Sequence, residues 1–447
     1  MDRGTEVPHP PPMIDDVATR SYAATAGRAP AVSRYRWRIC ALLFAATTLN
    51  YIDRQVLAVL APELTRIFGW TEIEYGNIVR AFQGAYALGL LGAGVLVDRL
   101  GTRIGYALAI AVWSVSAMSH ALARTVMQFT LARFALGLGE SGNFPTAIKT
   151  VAEWFPRRER AFATGLFNAG SNFGAVLAPL IVPFVATRWG WQYAFLFTGV
   201  LSAAWLMTWL LSYRSPTRHA GVAAAELAYI QSDPPEPAIP LPWSQLLRHR
   251  QAWSFVAAKF LTDPVWWFLL FWLPKFLNST YGLSLVELGP PLIVIYLMAD
   301  VGSILGGWLS NALIRRGWTV NRARKTAMLV CAVAVVPIVF AVFVKSLWAA
   351  VALIGLATAA HQGWSANVYT LTSDMFPRRA VGSVVGLGAF AGAIGGMLIA
   401  TLTGFILQTT GSYVPLFALA ACMYLIALAV VHWLVPRLEP VSDSARA

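Results

Sequence analysis

Gly94-Val95-Leu96-Val97-Asp98-Arg99-Leu100-Gly101-Thr102-Arg103 gathers three glycine or threonine breaks, one acid and two arginines between two apolar runs. Those runs, 76–97 and 103–122, are each close to the ~20 residues that a helix needs to cross a bilayer core. The stretch therefore reads as the turn of a membrane-crossing helical hairpin. Its chemistry suits that place. Gly94 and Gly101 let helices approach closely, Asp98 can cap or salt-bridge a neighbouring helix end, and Arg99 and Arg103 anchor a positively charged membrane face.

Working outward, the same pattern recurs along the chain. Further apolar runs lie at 37–58, 126–151, 161–186, 192–213, 253–278, 287–314, 325–344, 348–373, 382–409 and 413–435, which makes twelve predicted spans. The 447 residues are 57% hydrophobic and only 12% charged, about half the charge of a soluble domain. A soluble α/β enzyme would interrupt its apolar segments every few residues, and this chain does not. The expected fold class is an all-α membrane protein.

The formal charge of +13 would suit a nucleic-acid partner if it were clustered on one surface. Instead most Lys and Arg fall in the tails and the even-numbered loops, the positive-inside pattern that puts both termini in the cytoplasm. The expected location is the inner membrane, with the lipid bilayer as partner and no nucleic acid. Cys40, Cys331 and Cys422 lie in apolar runs without a CxxC spacing, so neither a disulfide framework nor a metal site is expected. Residues 1–34, with Pro8, Pro10, Pro11 and Pro12, lack the apolar core of a signal peptide and read as a disordered cytoplasmic tail. The long connection 214–251 carries Pro234, Pro235, Pro237, Pro240 and Pro242 and reads as a cytoplasmic linker. It divides a six-span bundle at 35–213 from a second at 252–436, with a short tail at 437–447. Two similar bundles imply a substrate site between them near the bilayer midplane.

Ionisable residues inside a span cost roughly 2.5–3.5 kcal/mol on insertion scales, so each asks for a reason. Span one holds Asn50-Tyr51-Ile52-Asp53-Arg54-Gln55, and span four holds Arg133 and Glu140, seven residues and two helical turns apart on one face. Two carboxylates beside two guanidiniums supply the parts of a proton-coupled anion carrier. Arginine binds a carboxylate through a bidentate fork, and an adjacent acid can exchange a proton as its surroundings open and close. The alternative is that these four groups only neutralise one another as structural ion pairs.

Other groups are open to two readings. Tyr51 and Tyr86 can donate hydroxyls to a ligand or act as interfacial anchors. Asn172, in the glycine-rich span five, can bond a sugar hydroxyl or join helices. Lys259 and Asp263 form an i, i+4 pair that can neutralise itself, Asp300 is a lone acid in span eight, and Arg80 fits a snorkelling charge. The glycines of span five (Gly165, Gly170, Gly174) suit tight packing, and Gly386, Gly388, Gly392, Gly395 and Gly396 of span eleven mirror them. Span ten concentrates polar and aromatic groups in His361-Gln362-Gly363-Trp364-Ser365-Ala366-Asn367. His361 by itself suits a packing role. No phosphate loop, nucleophile elbow or dinucleotide fingerprint is found, so neither an enzyme nor ATP-driven transport is expected, and no cofactor.

The hairpin turn resembles the G-x-x-x-D-R-x-G-x-R loop of the major facilitator superfamily, with a degenerate copy after span eight at Gly306, Gly307, Arg315-Arg316-Gly317, Arg322, Arg324 and Lys325. Over roughly 35–437 the chain resembles the anion:cation symporter branch of that superfamily. The branch-level segments are Tyr51-Ile52-Asp53-Arg54 and Glu153-Trp154-Phe155-Pro156. Phe260 to Trp267, Phe271-Trp272-Leu273-Pro274-Lys275 and the span-ten run look specific to its hexuronate transporters. The resemblance implies a two-bundle major facilitator fold and uptake of galacturonate or glucuronate with protons. It implies proton coupling at Asp53 and Glu140, and substrate binding at Arg54 with support from Tyr51, Tyr86, Arg133, Asn172, Trp267, Lys275, His361, Gln362, Trp364 and Asn367. Galactonate-type relatives have asparagine where this chain has Ala389, which disfavours galactonate.

The expected protein is thus a monomeric proton symporter of a small organic anion, working by alternating access. The absence of a backbone-rich cluster of Na⁺ ligands favours protons. Glucarate, galactarate, an aromatic acid or phosphate remain as alternative cargoes. A non-transporting sugar-acid sensor is the rival from another class, disfavoured because no signalling domain is appended.

Overall fold

The structure, a computed structural model, describes residues 34–233 and 243–441. The predicted N-terminal tail, the proline cluster of the linker and the end of the C-terminal tail lie outside the described residues, apart from their edges. Among the described residues every regular element is a helix.

Twelve spans can be followed. Span one is Tyr35–Phe68. The helix Glu72–Ser119 contains spans two and three, which meet at Gly101, where φ is 77°. A side chain is strained at that φ, so glycine permits the turn inside the stretch that the sequence singled out. Span four comes in two pieces, Val126–Glu140 and Asn143–Trp154. Spans five and six are Arg157–Trp189 and Trp191–Ser212. A short linker helix, Ala224–Ile230, precedes span seven at Arg250–Tyr281. Spans eight to twelve are Gly289–Arg315, Val320–Val335 with its continuation to Val342, Leu347–Met375, Arg378–Thr410 and Val414–Leu434.

Among the described residues, eight helices are long and apolar enough to cross a membrane on length and composition alone. One of these is the double span after residue 72. Spans one, four and ten fall outside the eight, and they are the spans that carry Arg54, Glu140 and His361. Spans one and ten fall short through their polar residues, which marks them as lining something other than lipid, and span four through its break at Ser141–Gly142, which leaves two short pieces.

Span one runs ten residues past its expected end at 58, through Pro62 and up to Gly69. The sequence reading stopped the span where Glu63 and Arg66 follow, whereas the helix carries those charges beyond the apolar core. Asp53 is therefore in the middle of its helix, only 2% exposed, and not near an accessible end. Span four, expected as continuous, is interrupted at Ser141–Gly142, directly after Glu140.

The two halves pack by the same rule. In the first, Gly170 and Gly174 of span five lie against the span-one backbone at Phe44 and Thr48. In the second, Gly388, Gly392 and Gly395 of span eleven lie against Phe255, Asp263 and Phe260 of span seven. Each fifth span thus receives the first span of its own half in a glycine groove, as small residues at four-residue spacing allow.

The halves also meet each other, and tightly, at the end away from residues 34 and 441 (the far end). There a Cβ on Gly76 of span two would stand 2.8 Å from the Ala400 carbonyl of span eleven, and one on Gly404 2.7 Å from the Glu72 carbonyl. Tyr75 donates from its hydroxyl to the Phe271 carbonyl at 2.7 Å, and Lys275 Nζ pairs with Glu72 Oε1 at 2.6 Å. The far end is shut by direct backbone contact and by these two polar clasps.

Candidate functional site

Arg54 occupies the centre of the first half. A helix turns about 100° per residue, so Arg54 and its neighbour Asp53 leave span one in different directions. The Arg54 guanidinium carbon lies 4.6 Å from the Tyr51 ring centroid, 5.0 Å from Tyr86, and 5.3 Å from both Phe82 and Trp267. Rings from spans one, two and seven so form a collar around one cation, a geometry in which the ring faces attract the charge.

The edge of the guanidinium is taken by Glu140. Arg54 Nε donates to Glu140 Oε2 at 2.9 Å, its terminal NH2 nitrogen stands 2.8 Å from the same oxygen, and that nitrogen also donates to Asn50 Oδ1 at 3.2 Å. Both side chains are buried, 2% and 0% exposed. Arg133, two turns before Glu140, points to the same place and donates to the Arg54 backbone carbonyl at 3.2 Å. Glu140 pairs with Arg54 rather than with Arg133, and Asp53 does not pair with Arg54. Asp53 turns to span six, where Oδ2 accepts from the Ser202 hydroxyl at 2.6 Å.

Several polar atoms here have no hydrogen-bond partner among the described residues: Glu140 Oε1, two of the Arg133 guanidinium nitrogens and the Gln83 amide. Buried polar atoms are ordinarily satisfied, so a cluster of exceptions around one cation is the signature of a place built for a polar guest. Single exchange of partners at Arg54, from Glu140 to another carboxylate, needs no new cation.

The other residues singled out in the sequence fall in three places. Tyr51, Tyr86 and Trp267 stand at the Arg54 collar, as described. Lys275 stands at the far-end clasp with Glu72, about two turns of span seven beyond Trp267. Asn172 of span five faces Asp300 of span eight. The span-ten groups lie within the second half. His361 Nδ1 is 2.6 Å from the Tyr424 hydroxyl and its ring stacks on Trp266 with centroids 5.1 Å apart. Trp364 meets Tyr424 edge-on, Asn367 Nδ2 donates to the Gly306 and Gly363 carbonyls at 3.0 and 2.9 Å, and Gln362 is half-buried. Arg80 is exposed. At the 94–103 turn, Asp98 Oδ1 pairs with Lys149 Nζ at 2.7 Å, Arg103 donates to the Leu210 carbonyl, and Arg99 is exposed while Gly94 is half-buried. The second half has a matching lock, in which Arg324 Nε meets Asp374 Oδ2 at 3.1 Å.

Sequence reasoning missed Ser202 and Phe82. Phe82 is four residues before Tyr86 and so shares its helix face, a signal that was available. Ser202 is one small hydroxyl in an apolar span, and nothing in the sequence separates it from a packing serine.

A bundle of twelve spans, two matched halves shut at one end, and a cation caged in the first half against Trp267 of the second define a membrane carrier of the secondary-transporter type, not an enzyme. The chain belongs to the Major Facilitator Superfamily, whose family model matches residues 43–400. It is 34% identical over 419 residues to the hexuronate transporter of Escherichia coli, covering 92% of this chain and 96% of that one. It is also 34% identical over 291 residues to the galacturonate transporter of Dickeya chrysanthemi, covering 64% and 84%. Among solved structures, a bacterial homolog of the human lysosomal transporter Spinster, in an inward-facing and unoccupied conformation, superposes with a TM-score of 0.69 at 20% identity, covering 92% and 96%.

Proposed function

We propose that the protein is a proton-coupled symporter that takes up a sugar-acid anion, a hexuronate such as galacturonate or glucuronate, across the inner membrane with both termini cytoplasmic. One observation carries this reading: the buried Arg54 cation holds Glu140 on the edge that a substrate carboxylate would need. Substrate and Glu140 then compete for one guanidinium. A proton on Glu140 removes its charge and releases Arg54 to the anion; loss of that proton re-forms the pair and expels the anion. The aromatic collar offers flat faces to the C–H side of a sugar ring. The 34% identities to a hexuronate and a galacturonate transporter support the cargo class.

The architecture supports alternating access. The far end is shut by the Gly76–Ala400 and Gly404–Glu72 contacts, so in this reading access is from the side of the termini, and rocking of the halves about the site exchanges the two accesses. Gly94, Asp98, Arg99, Gly101 and Arg103 form the turn whose Asp98–Lys149 pair reorganises when that side closes.

Proteoliposomes test the proposal. An inward proton gradient should drive accumulation of labelled galacturonate, and a protonophore should abolish it. Accumulation indifferent to the protonophore would refute proton coupling. The four-ring collar also favours a second reading, an aromatic acid as cargo, and benzoate out-competing galacturonate for uptake would select it.

A further inference from the structure

Span seven carries a second buried charge pair that the Arg54 site does not use. Lys259 Nζ meets Asp263 Oδ2 at 2.9 Å, with side chains 8% and 15% exposed. Lys259 also sits over the Tyr369 ring of span ten, 4.8 Å from its centroid. Residues 259, 263 and 267 are four apart and lie along one stripe of the helix, and Trp267 on that stripe is part of the Arg54 collar. The pair therefore continues the wall of the same site, toward the end that carries the termini. Tyr51, whose ring centroid lies 4.6 Å from the Arg54 guanidinium carbon, is also within electrostatic reach of Lys259 and Tyr369.

The bed of the stripe is built for it. Span eleven presents glycine at 388, 392 and 396, matching the four-residue spacing opposite. A Cβ on Gly388 would stand 3.2 Å from Lys259 Cγ, one on Gly396 2.7 Å from Trp267 Cδ1, and one on Gly392 would collide with the Asp263 carboxylate. Glycine at 392 is what lets that carboxylate lie where it does. Asp263 is also more open than either carboxylate of the first half, since Asp53 is 2% exposed and Glu140 0%. A carboxylate offers about four acceptor positions, and the lysine occupies only one oxygen at 2.9 Å.

We infer that Lys259 and Asp263, with Tyr369, form a hydroxyl-reading subsite that recognises the ring of a sugar acid whose carboxylate sits on Arg54. This rests on the substrate class proposed above. The offset from Trp267 to Asp263 along span seven is about 6 Å, close to the separation of carboxylate and far hydroxyls in a pyranose acid. Asp263 accepts from two neighbouring hydroxyls while Lys259 and Tyr369 donate to hydroxyl or ring oxygens. Such a site rejects an analogue that lacks the hydroxyls, because its own polar groups would be left unpaired.

The test compares equilibrium binding of galacturonate and of tetrahydropyran-2-carboxylate, which keeps the ring and the acid but has no hydroxyls, to purified full-length protein. The unmodified protein should prefer galacturonate by at least a hundredfold. In Asp263→Asn the preference should fall at least tenfold through weaker galacturonate binding, with the analogue unaffected. A Lys259→Met/Asp263→Asn double variant leaves no unpaired buried charge and should show the same collapse. A purely structural ion pair predicts instead that the double variant keeps the preference, and that result overturns the inference. If the unmodified protein binds both acids equally, ring recognition fails while the Arg54 clamp stands. If it binds neither, the sugar-acid reading fails with it.

Discussion

Replacing Glu140 by glutamine removes the charge that competes for Arg54 and keeps the size and an acceptor oxygen. The Arg54–Glu140 pair is close, at 2.8–2.9 Å, and fully buried. A hydrogen bond between charged groups is worth about 1.5–3 kcal/mol net. An incoming carboxylate must displace that bond in the unmodified protein and need not in Glu140→Gln. The expected gain is the same energy, roughly 10- to 150-fold tighter binding of galacturonate. The empty variant should be the less stable of the two, because an unpaired buried cation costs about 3–5 kcal/mol. Its melting temperature should therefore fall without substrate and recover more on substrate addition than that of the parent.

Isothermal titration at several pH values separates this from a general packing effect. In the proposed cycle a proton on Glu140 does transiently what the substitution does permanently. Affinity of the unmodified protein should therefore tighten as pH falls, and that of Glu140→Gln should stay flat and tight. In proteoliposomes the variant should exchange external for internal galacturonate yet lose gradient-driven accumulation. Unchanged or weaker binding together with retained accumulation would refute the competition at Arg54.

Three further expectations follow from other contacts. Gly76→Val places a side chain against the Ala400 carbonyl, already 2.8 Å from the ideal Cβ position; the far end should then be held open, seen as faster labelling of a cysteine introduced there, and unchanged labelling would contradict backbone contact as the seal. Glu226, 0% exposed, caps span one by accepting from the Tyr35 and Arg36 amides at 3.2 and 3.1 Å; Glu226→Ala should cost about 1–2 kcal/mol of stability, and an unaltered melting temperature would refute that role. For Glu159, outside the membrane, burial alone would push the carboxyl up, but hydrogen bonds from Arg36 and Tyr229 outweigh it and hold it below its ordinary 4.5. Its stabilisation is thus full above 4.5 and lost as pH falls through the depressed value; Glu159→Gln should melt with a shallower acid-side decline, and parallel melting curves down the acid range would count against it.

What the sequence made legible was the presence of charge where lipid forbids it. Arg54, Arg133 and Glu140 stand out in apolar runs because an unpaired charge there is costly, and the turn at 94–103 declares the hairpin by composition. Partner choice was not legible. Asp53 and Arg54 are neighbours in the chain, and only the helical rotation of about 100° between them sends one to Ser202 and the other to Glu140. The far-end clasp was hidden for a similar reason, since Lys275 and Glu72 come from different halves and only packing unites them. The span-ten run reads as binding chemistry by composition, yet its histidine and asparagine are engaged with Tyr424 and with the Gly306 carbonyl inside the second half. Composition reports that a span is polar; it does not report which of its faces the polarity serves.

The separation of the two acids gives the proposed cycle its order. Glu140 shares an oxygen with the cation that the substrate needs, so its protonation and anion binding must be coupled at one atom. Asp53 shares nothing with that cation directly: its Oδ2 holds the Ser202 hydroxyl of span six at 2.6 Å. A proton on Asp53 therefore alters how span one packs on span six, and reaches the Arg54 pair through the charge felt by Arg133 and Glu140 and not through a shared atom. Glu140 is then the competitor and Asp53 the conformational partner. Asp53→Asn should change galacturonate affinity less than Glu140→Gln does, since no hydrogen bond to the guanidinium is lost and only the charge felt by Arg133 and Glu140 changes. It should nevertheless change the fraction of protein with the far end open, measurable by spin-label distances across Glu72 and Lys275. A large loss of affinity with unchanged distances would reverse the two assignments.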